Sequence, residues 1–239
     1  MLTLETIRIA LILAMMCYAS YSDLRFREVS DKLWLIFGII GAIITTYDFV
    51  TAGLSDYTFL GLISIGVSAA VSFGLYYAKL YGGADAKALT VISVIMPIYW
   101  PVAAIHPFTA IYTFMNGLLI SAALPIGFAV YNFIRVLKGD NIFEGLEHEP
   151  IWRKILACFL GTLFYDVKAK KFWMPMEIVS EGRRRFTFSI IVDVESQVDG
   201  DRAWLTPGIP LLVFITSGFV VSVFYGDLLG LMFRRLFSI

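Results

Sequence analysis

Residues 57–80 read YTFLGLISIGVSAAVSFGLYYAKL, and residues 81–87 continue YGGADAK. The first stretch carries no charge before Lys79. Its length is that of a membrane helix, because a hydrocarbon core about 30 Å thick is crossed by roughly 20 apolar residues rising about 1.5 Å each. Five further apolar runs share this character, at Leu4 to Tyr21, Leu33 to Tyr47, Ala88 to Ile105, Ala110 to Leu137 (interrupted by Pro125) and Trp204 to Phe233. The expectation is an all-α membrane protein of six transmembrane helices. The flank Met1 to Ile7 is acidic and no small-residue cleavage site follows, so the first run is expected to be a retained span rather than a signal peptide.

Composition agrees with this reading. Of 239 residues 59% are hydrophobic and only 16% charged. Nineteen basic and nineteen acidic residues cancel, leaving no basic field to recruit nucleic acid. Cys17 and Cys158 offer neither metal-ligand spacing nor a disulfide framework.

Basic residues are divided unevenly. With six spans, Arg25, Arg27, Lys32, Lys79, Lys87, Arg135, Lys138 and the basic residues up to Arg202 fall on one side, against Arg8, Arg234 and Arg235 on the other. Lys and Arg are retained in the cytoplasm, so both termini are expected outside in a multi-pass protein of the cell membrane. Residues 1–137 then form a membrane domain, 138–203 a small mixed α/β cytoplasmic segment between helices five and six, and 204–239 the last span. Within that segment, Pro150 opens a helix from Ile151 to Tyr165 that is too short to cross and is expected in the interface, where Arg153, Lys154, Lys168, Lys170 and Lys171 meet anionic headgroups. Phe186 to Ile190 alternates and Ile191 to Val194 continues a β-favouring run, while Arg183, Arg184 and Arg185 read as a solvated or lipid-facing patch.

Ionisable groups near a membrane core are costly, so those retained are candidates for function. Asp48, Asp56 and Asp227 fall at the outer side. Two acids remain on the cytoplasmic side, Asp23 after the first span and Asp85 at the start of the fourth. Gly82 and Gly83 ahead of Asp85 provide backbone freedom and room for another chain to approach. That suits a peptidase, which needs an extended strand beside its acid. Three other readings remain open: Asp85 as the cap of the next helix, a proton- or cation-coupled transporter with Asp23 and Asp85 as ion-binding carboxylates, and a scaffold.

Two sequence pieces sharpen this. Gly82-Gly83-Ala84-Asp85-Ala86-Lys87 resembles the Gly-x-Gly-Asp-x-Lys motif of the GxGD membrane aspartyl peptidases, and Asp23-Leu24-Arg25-Phe26-Arg27-Glu28-Val29-Ser30 looks like their Asp-Leu-Arg-x-Arg-x-Ile-Pro. Thr206 to Leu211 is similar to the proline-rich opening of their final helix. Within that group the chain most resembles the archaeal preflagellin peptidases and their type IV prepilin peptidase relatives. The resemblance implies a signal peptidase acting on preflagellin or pilin-like precursors, with Asp23 and Asp85 as catalytic dyad, Gly82, Gly83, Ala84 and Lys87 supporting the motif, and Pro207, Gly208, Ile209 and Pro210 able to contact substrate. It implies no metal and no cofactor. Ala84 replaces the second glycine and Ser30 stands where proline is usual. The paired CxxC motifs that accompany N-methylation in bacterial relatives are missing, so methyl transfer is not expected. Because such substrates carry a basic leader, Glu144, Glu147, Glu149 and Glu177 are further candidates for contacting it.

Overall fold

The computed structural model describes residues 3–165, 172–180, 183–188 and 202–237. Its helices are α1 (Leu4–Phe26), α2 (Asp31–Ala52), α3 (Asp56–Tyr77), α4 (Gly83–Ile95), α5 (Thr109–Ser121), α6 (Ala123–Leu137), α7 (Ile151–Leu160), α8 (Leu211–Phe224) and α9 (Leu228–Phe237). Its strands are β1 (Thr162–Phe164), β2 (Trp173–Pro175), β3 (Glu177–Ser180), β4 (Arg183–Phe186) and β5 (Ala203–Pro207). The chain divides into two compact units, Met1–Ser121 with Pro210–Ile239, and Ala122–Ile209.

Among the described residues four stretches are long and apolar enough to cross a membrane, α1, α2, α3 and the run Thr109–Leu137, or five if α8 and α9, bent by 58°, make one span. Six spans were expected, and the difference has local causes. Serine or threonine caps set the first three helices: Thr3, Ser30 and Ser55 accept hydrogen bonds from Thr6, Lys32 and Thr58 N–H groups. Thus Ser30, in place of the usual proline, starts α2 as a capping residue. α1 runs on past Tyr21 to Phe26, so Asp23 lies within its last turns, and Arg27 ends the helix in the left-handed region at φ 58°.

The expected fourth span fails because of Pro97, Pro101 and Pro107, which cannot sit inside a helix and push the preceding residue out of helical geometry. α4 therefore stops at Ile95 after 13 residues, about 20 Å, too short to cross. Its apolarity has another origin. Ala88, Leu89, Ile92 and Ile95 are buried against Ile12, Met15, Met16 and Ala19 of α1 and Ile215 and Phe219 of α8, at the centre of the unit. The carbonyls left free near the end of α4 find partners on its neighbours: Thr45 Oγ1 of α2 donates to Val94 O at 2.6 Å and Ser64 Oγ of α3 to Pro97 O at 2.6 Å. α3 packs closely on α4 and buries the small residues Ser64, Ser68 and Ser72, which lets the backbones approach.

The sixth run is also divided. Trp204 lies in β5 rather than in a helix, and the helix from Leu211 breaks at Gly226. Gly226 has φ +110°, and a Cβ there would lie 2.2 Å from Val102 O, so only glycine fits. Asn116 of α5 closes the break by donating to Ser222 Oγ at 2.8 Å and Gly226 O at 3.0 Å while accepting from Leu228 N at 3.0 Å. α5 and α8 pack closely through glycine. A Cβ on Gly218 would fall 2.3 Å from Thr113 O, and one on Gly117 2.7 Å from Phe214 O.

The second unit is a small α/β body. β5 is the central strand of an antiparallel sheet ordered β1-β5-β2, with Leu163 opposite Trp204 and Met174 opposite Thr206. β3 and β4 form a separate antiparallel hairpin. Trp204, fully buried, centres a core with Ile142, Leu146, Ala157, Leu163, Met176 and Phe186, and its indole Nε1 donates to Ile142 O at 3.0 Å. Asn132 of α6 donates to Cys158 O and Gly161 O at the end of α7, and Thr162 Oγ1 donates to its Oδ1. β4 begins earlier than the strand expected from Phe186. Ile190 to Val194, Lys168, Lys170 and Lys171 lie outside the described residues.

Candidate active site

Asp85 occupies the first turn of α4, where helical N–H groups lack intrahelical partners. It is 9% exposed, and its Oδ2 accepts the Gly82 N–H at 3.1 Å. The carboxylate thus serves as a reverse cap for its own helix. Gly82 is extended at φ −80° and ψ 159°, a conformation open to any residue, so the bend that its glycine was expected to supply is not used here. Space is the requirement instead: a Cβ at Gly82 would lie 3.2 Å from Asp85 Oδ2, and one at Gly83 3.4 Å from the Tyr76 ring. Ala84 is half-buried against the core, so its methyl group occupies a contact rather than disturbing a turn.

Asp23 approaches from α1. Its charge acts on Asp85, and the Arg27 guanidinium acts on Asp23 in turn. The two acids, 62 positions apart, are therefore electrostatic neighbours in one unit. The turn after α1 is held by Ser22 Oγ, which donates to Glu28 O at 2.6 Å, and by Arg27 N, which donates to Asp23 O at 3.0 Å. Lys87 Nζ pairs with Asp31 Oδ1 at 2.6 Å, tying the start of α4 to the start of α2. Tyr81 was not singled out from the sequence. Its hydroxyl donates to Ser72 O at 2.8 Å, its ring packs on Phe114, and it lies within reach of the Asp85 charge.

The remaining candidates are distributed otherwise. Pro207 ends β5 opposite Trp173, and the Gly208 N–H donates to Phe172 O at 3.0 Å, so the first half of the proline-rich run belongs to the sheet. Pro210 directly precedes α8, where its missing N–H costs nothing. Glu149 and Glu177 are buried and committed inside the second unit. Glu149 pairs with Arg153 at 2.9 Å and accepts the Phe186 N–H, while Glu177 pairs with Arg184 at 2.8 Å and accepts the Trp204 N–H. They hold the fold rather than wait for a basic leader, and Arg184 is a strand residue in an ion pair rather than part of a free patch. Glu144 pairs with Arg202 at 2.7 Å. Glu147 is fully exposed, and hydrogen bonds from its own N–H and that of Gly145 lower its pKa.

At the opposite end of α1, Arg8 is almost fully buried and pairs with Asp48 at 3.0 Å, and Tyr57 donates to the same Asp48 oxygen at 2.7 Å. Asp48, expected at the outer side, is thus part of a three-helix polar joint.

Several helices long and apolar enough to cross a membrane define a class, the helical membrane proteins. Residues 10–130 match the type IV leader peptidase family, and residues 153–228 match the archaeal peptidase A24 C-terminus of type II. The chain belongs to the type IV leader peptidase family and is a peptidase, a hydrolase. Among its relatives, the preflagellin peptidase of Methanococcus voltae is 25% identical over 227 residues, covering 87% of this chain and 91% of the relative. That of Methanococcus maripaludis strain C6 is 26% identical over 223 residues, covering 87% and 90%. That of Methanocaldococcus jannaschii is 24% identical over 238 residues, covering 92% and 94%. Family membership favours hydrolysis over the ion-coupled transport that two membrane acids also suggest.

Proposed function

We propose that the protein is an aspartic endopeptidase of the cell membrane that removes the short basic leader from preflagellin or a pilin-like precursor at the cytoplasmic face, with Asp23 and Asp85 as its dyad. The observation that carries this reading is a buried carboxylate in the family motif, Asp85, within electrostatic reach of a second carboxylate, Asp23, from another helix. Two carboxylates so placed cannot easily both ionise, and the pair shares a proton and titrates as a unit. The ionised member takes a proton from water as that water attacks the scissile carbonyl, and the protonated member donates to the carbonyl oxygen as charge develops.

The side of the membrane follows from charge. Arg25 lies in the last turn of α1, Arg27 just after it and Lys32 in the first turn of α2, while Lys79 follows α3 and Lys87 stands in the first turns of α4, the same end of the unit as both acids. The positive-inside tendency makes that end cytoplasmic. A dyad there meets the peptide bond where a basic leader gives way to an apolar, membrane-inserting helix. The relatives named as preflagellin peptidases support the substrate class.

The test uses purified protein in detergent, a precursor with a basic leader, and the new N-terminus read by mass spectrometry. Asp23→Ala and Asp85→Ala should each abolish cleavage, and continued cleavage by either would rule out the dyad.

A further inference from the structure

α6 and α7 lie side by side within the second unit, with a groove of about 550 Å³ between them, walled by Ala129, Phe133 and Val136 of α6 and Ile155, Cys158 and Phe159 of α7. Asn132 also lines it, but its side-chain amide is committed to Cys158 O, Gly161 O and the Thr162 hydroxyl. The wall therefore offers nothing for hydrogen bonding. Lys154 also lines the groove, and its Nζ donates to Glu147 O at 2.9 Å and keeps further donor capacity.

Three observations identify the occupant. First, α6 is the second half of Thr109–Leu137, a run long and apolar enough to cross a membrane. Second, the rims are apolar too, with Val130 and Phe133 exposed on α6 and Ile151, Trp152 and Ile155 on α7, a patch that a water-facing surface rarely carries. Third, the shape fits. Residues 129–136 of α6 and 151–159 of α7 measure about 10–12 Å along their axes, within one leaflet of a core about 30 Å thick. An extended peptide here would leave its N–H and C=O groups without partners, whereas an alkyl chain has none to satisfy.

We propose that the α6–α7 groove is a lipid site, in which an alkyl chain of an anionic membrane lipid lies between the helices and its headgroup phosphate pairs with Lys154. The site does not depend on the proteolytic reading, and its readout is lipid mass rather than cleavage. Full-length protein in non-ionic detergent would be given phosphatidylglycerol or phosphatidylcholine of matched chains and examined by native mass spectrometry. Wild type should retain one phosphatidylglycerol under activation that strips the rest. Ala129→Trp, which fills the groove, should lose it, and Val136→Trp plugs the other end should the first variant fail to fold. Lys154→Gln should still hold a chain but no longer distinguish the two headgroups. Wild type retaining no lipid, a folded Trp variant retaining it undiminished, or a second copy of the chain held in place of lipid would each overturn the proposal.

Discussion

Asp85 has two jobs to separate, since its carboxylate both caps α4 and is proposed to do chemistry. Asp85→Asn and Asp85→Ala divide them. The amide oxygen of asparagine can still accept the Gly82 N–H that Asp85 Oδ2 accepts at 3.1 Å, so the helix start survives. Alanine removes that acceptor and leaves a partly buried N–H without a partner, a loss of about 0.5–2 kcal/mol by analogy with other helix caps. For a chain of this size each kcal/mol lowers a thermal midpoint by about 2–4 °C. The Asp85→Asn variant should therefore melt close to wild type and the Asp85→Ala variant several degrees lower. Activity should not follow that order. Neither variant can hold or release the shared proton, so the initial rate of leader removal should fall in both by about 10²–10⁴ or more. The assay is cleavage of one precursor by the three proteins at equal concentration, in the detergent used for the melts. Should Asp85→Asn cleave within a few-fold of wild type while Asp85→Ala is merely unstable, the carboxylate is a helix cap and no dyad exists.

Further outcomes follow from packing and charge. Gly218→Ala places a Cβ where Thr113 O would be 2.3 Å away, so α8 must move off α5; the cost should be about 1–3 kcal/mol, and an unchanged melting midpoint would show that the helices are not so closely packed. Arg184→Ala leaves the Glu177 carboxylate buried without its cation; the second unit should lose up to about 3 kcal/mol, and Glu177→Gln added to it should restore part of that loss in chemical unfolding. No recovery in the double variant would count against the pair. Lys87→Gln removes an ion pair that is largely exposed to solvent, so only about 0.2–1 kcal/mol should go, and the difference from wild type should vanish at high salt. A larger, salt-independent loss would mean that Lys87 is held by more than Asp31.

α1, α2 and α3 were legible because each is a long apolar helix with a polar cap at its start. α4 was read as a span because hydropathy does not distinguish a helix facing lipid from one enclosed by other helices. Pro97, Pro101 and Pro107 carried the correcting signal. Trp204 was taken into a helix for a similar reason: Ala203, Trp204 and Leu205 are all buried, so β5 shows no alternation. Asp23 and Asp85 stand out in the sequence through the motifs around them. Glu149 and Glu177 were not, because their hydrogen-bond partners at Phe186 and Trp204 lie far along the chain, and an acid committed to remote backbone looks the same in sequence as one on a surface.

The glycine contact between α5 and α8 also bears on how the chain is made. α8 leaves the ribosome about 90 residues after α5, and at about 5–20 residues per second that is a wait on the order of 4–20 s. Throughout it, the Gly117 face has no partner helix, and Asn116 lacks the Ser222 and Gly226 acceptors that later satisfy it. α1, α2, α3 and α5 form a half-built enclosure around α4, open along the side that α8 will fill, while the second unit is synthesised. Until α8 arrives, insertion machinery or lipid must cover that opening.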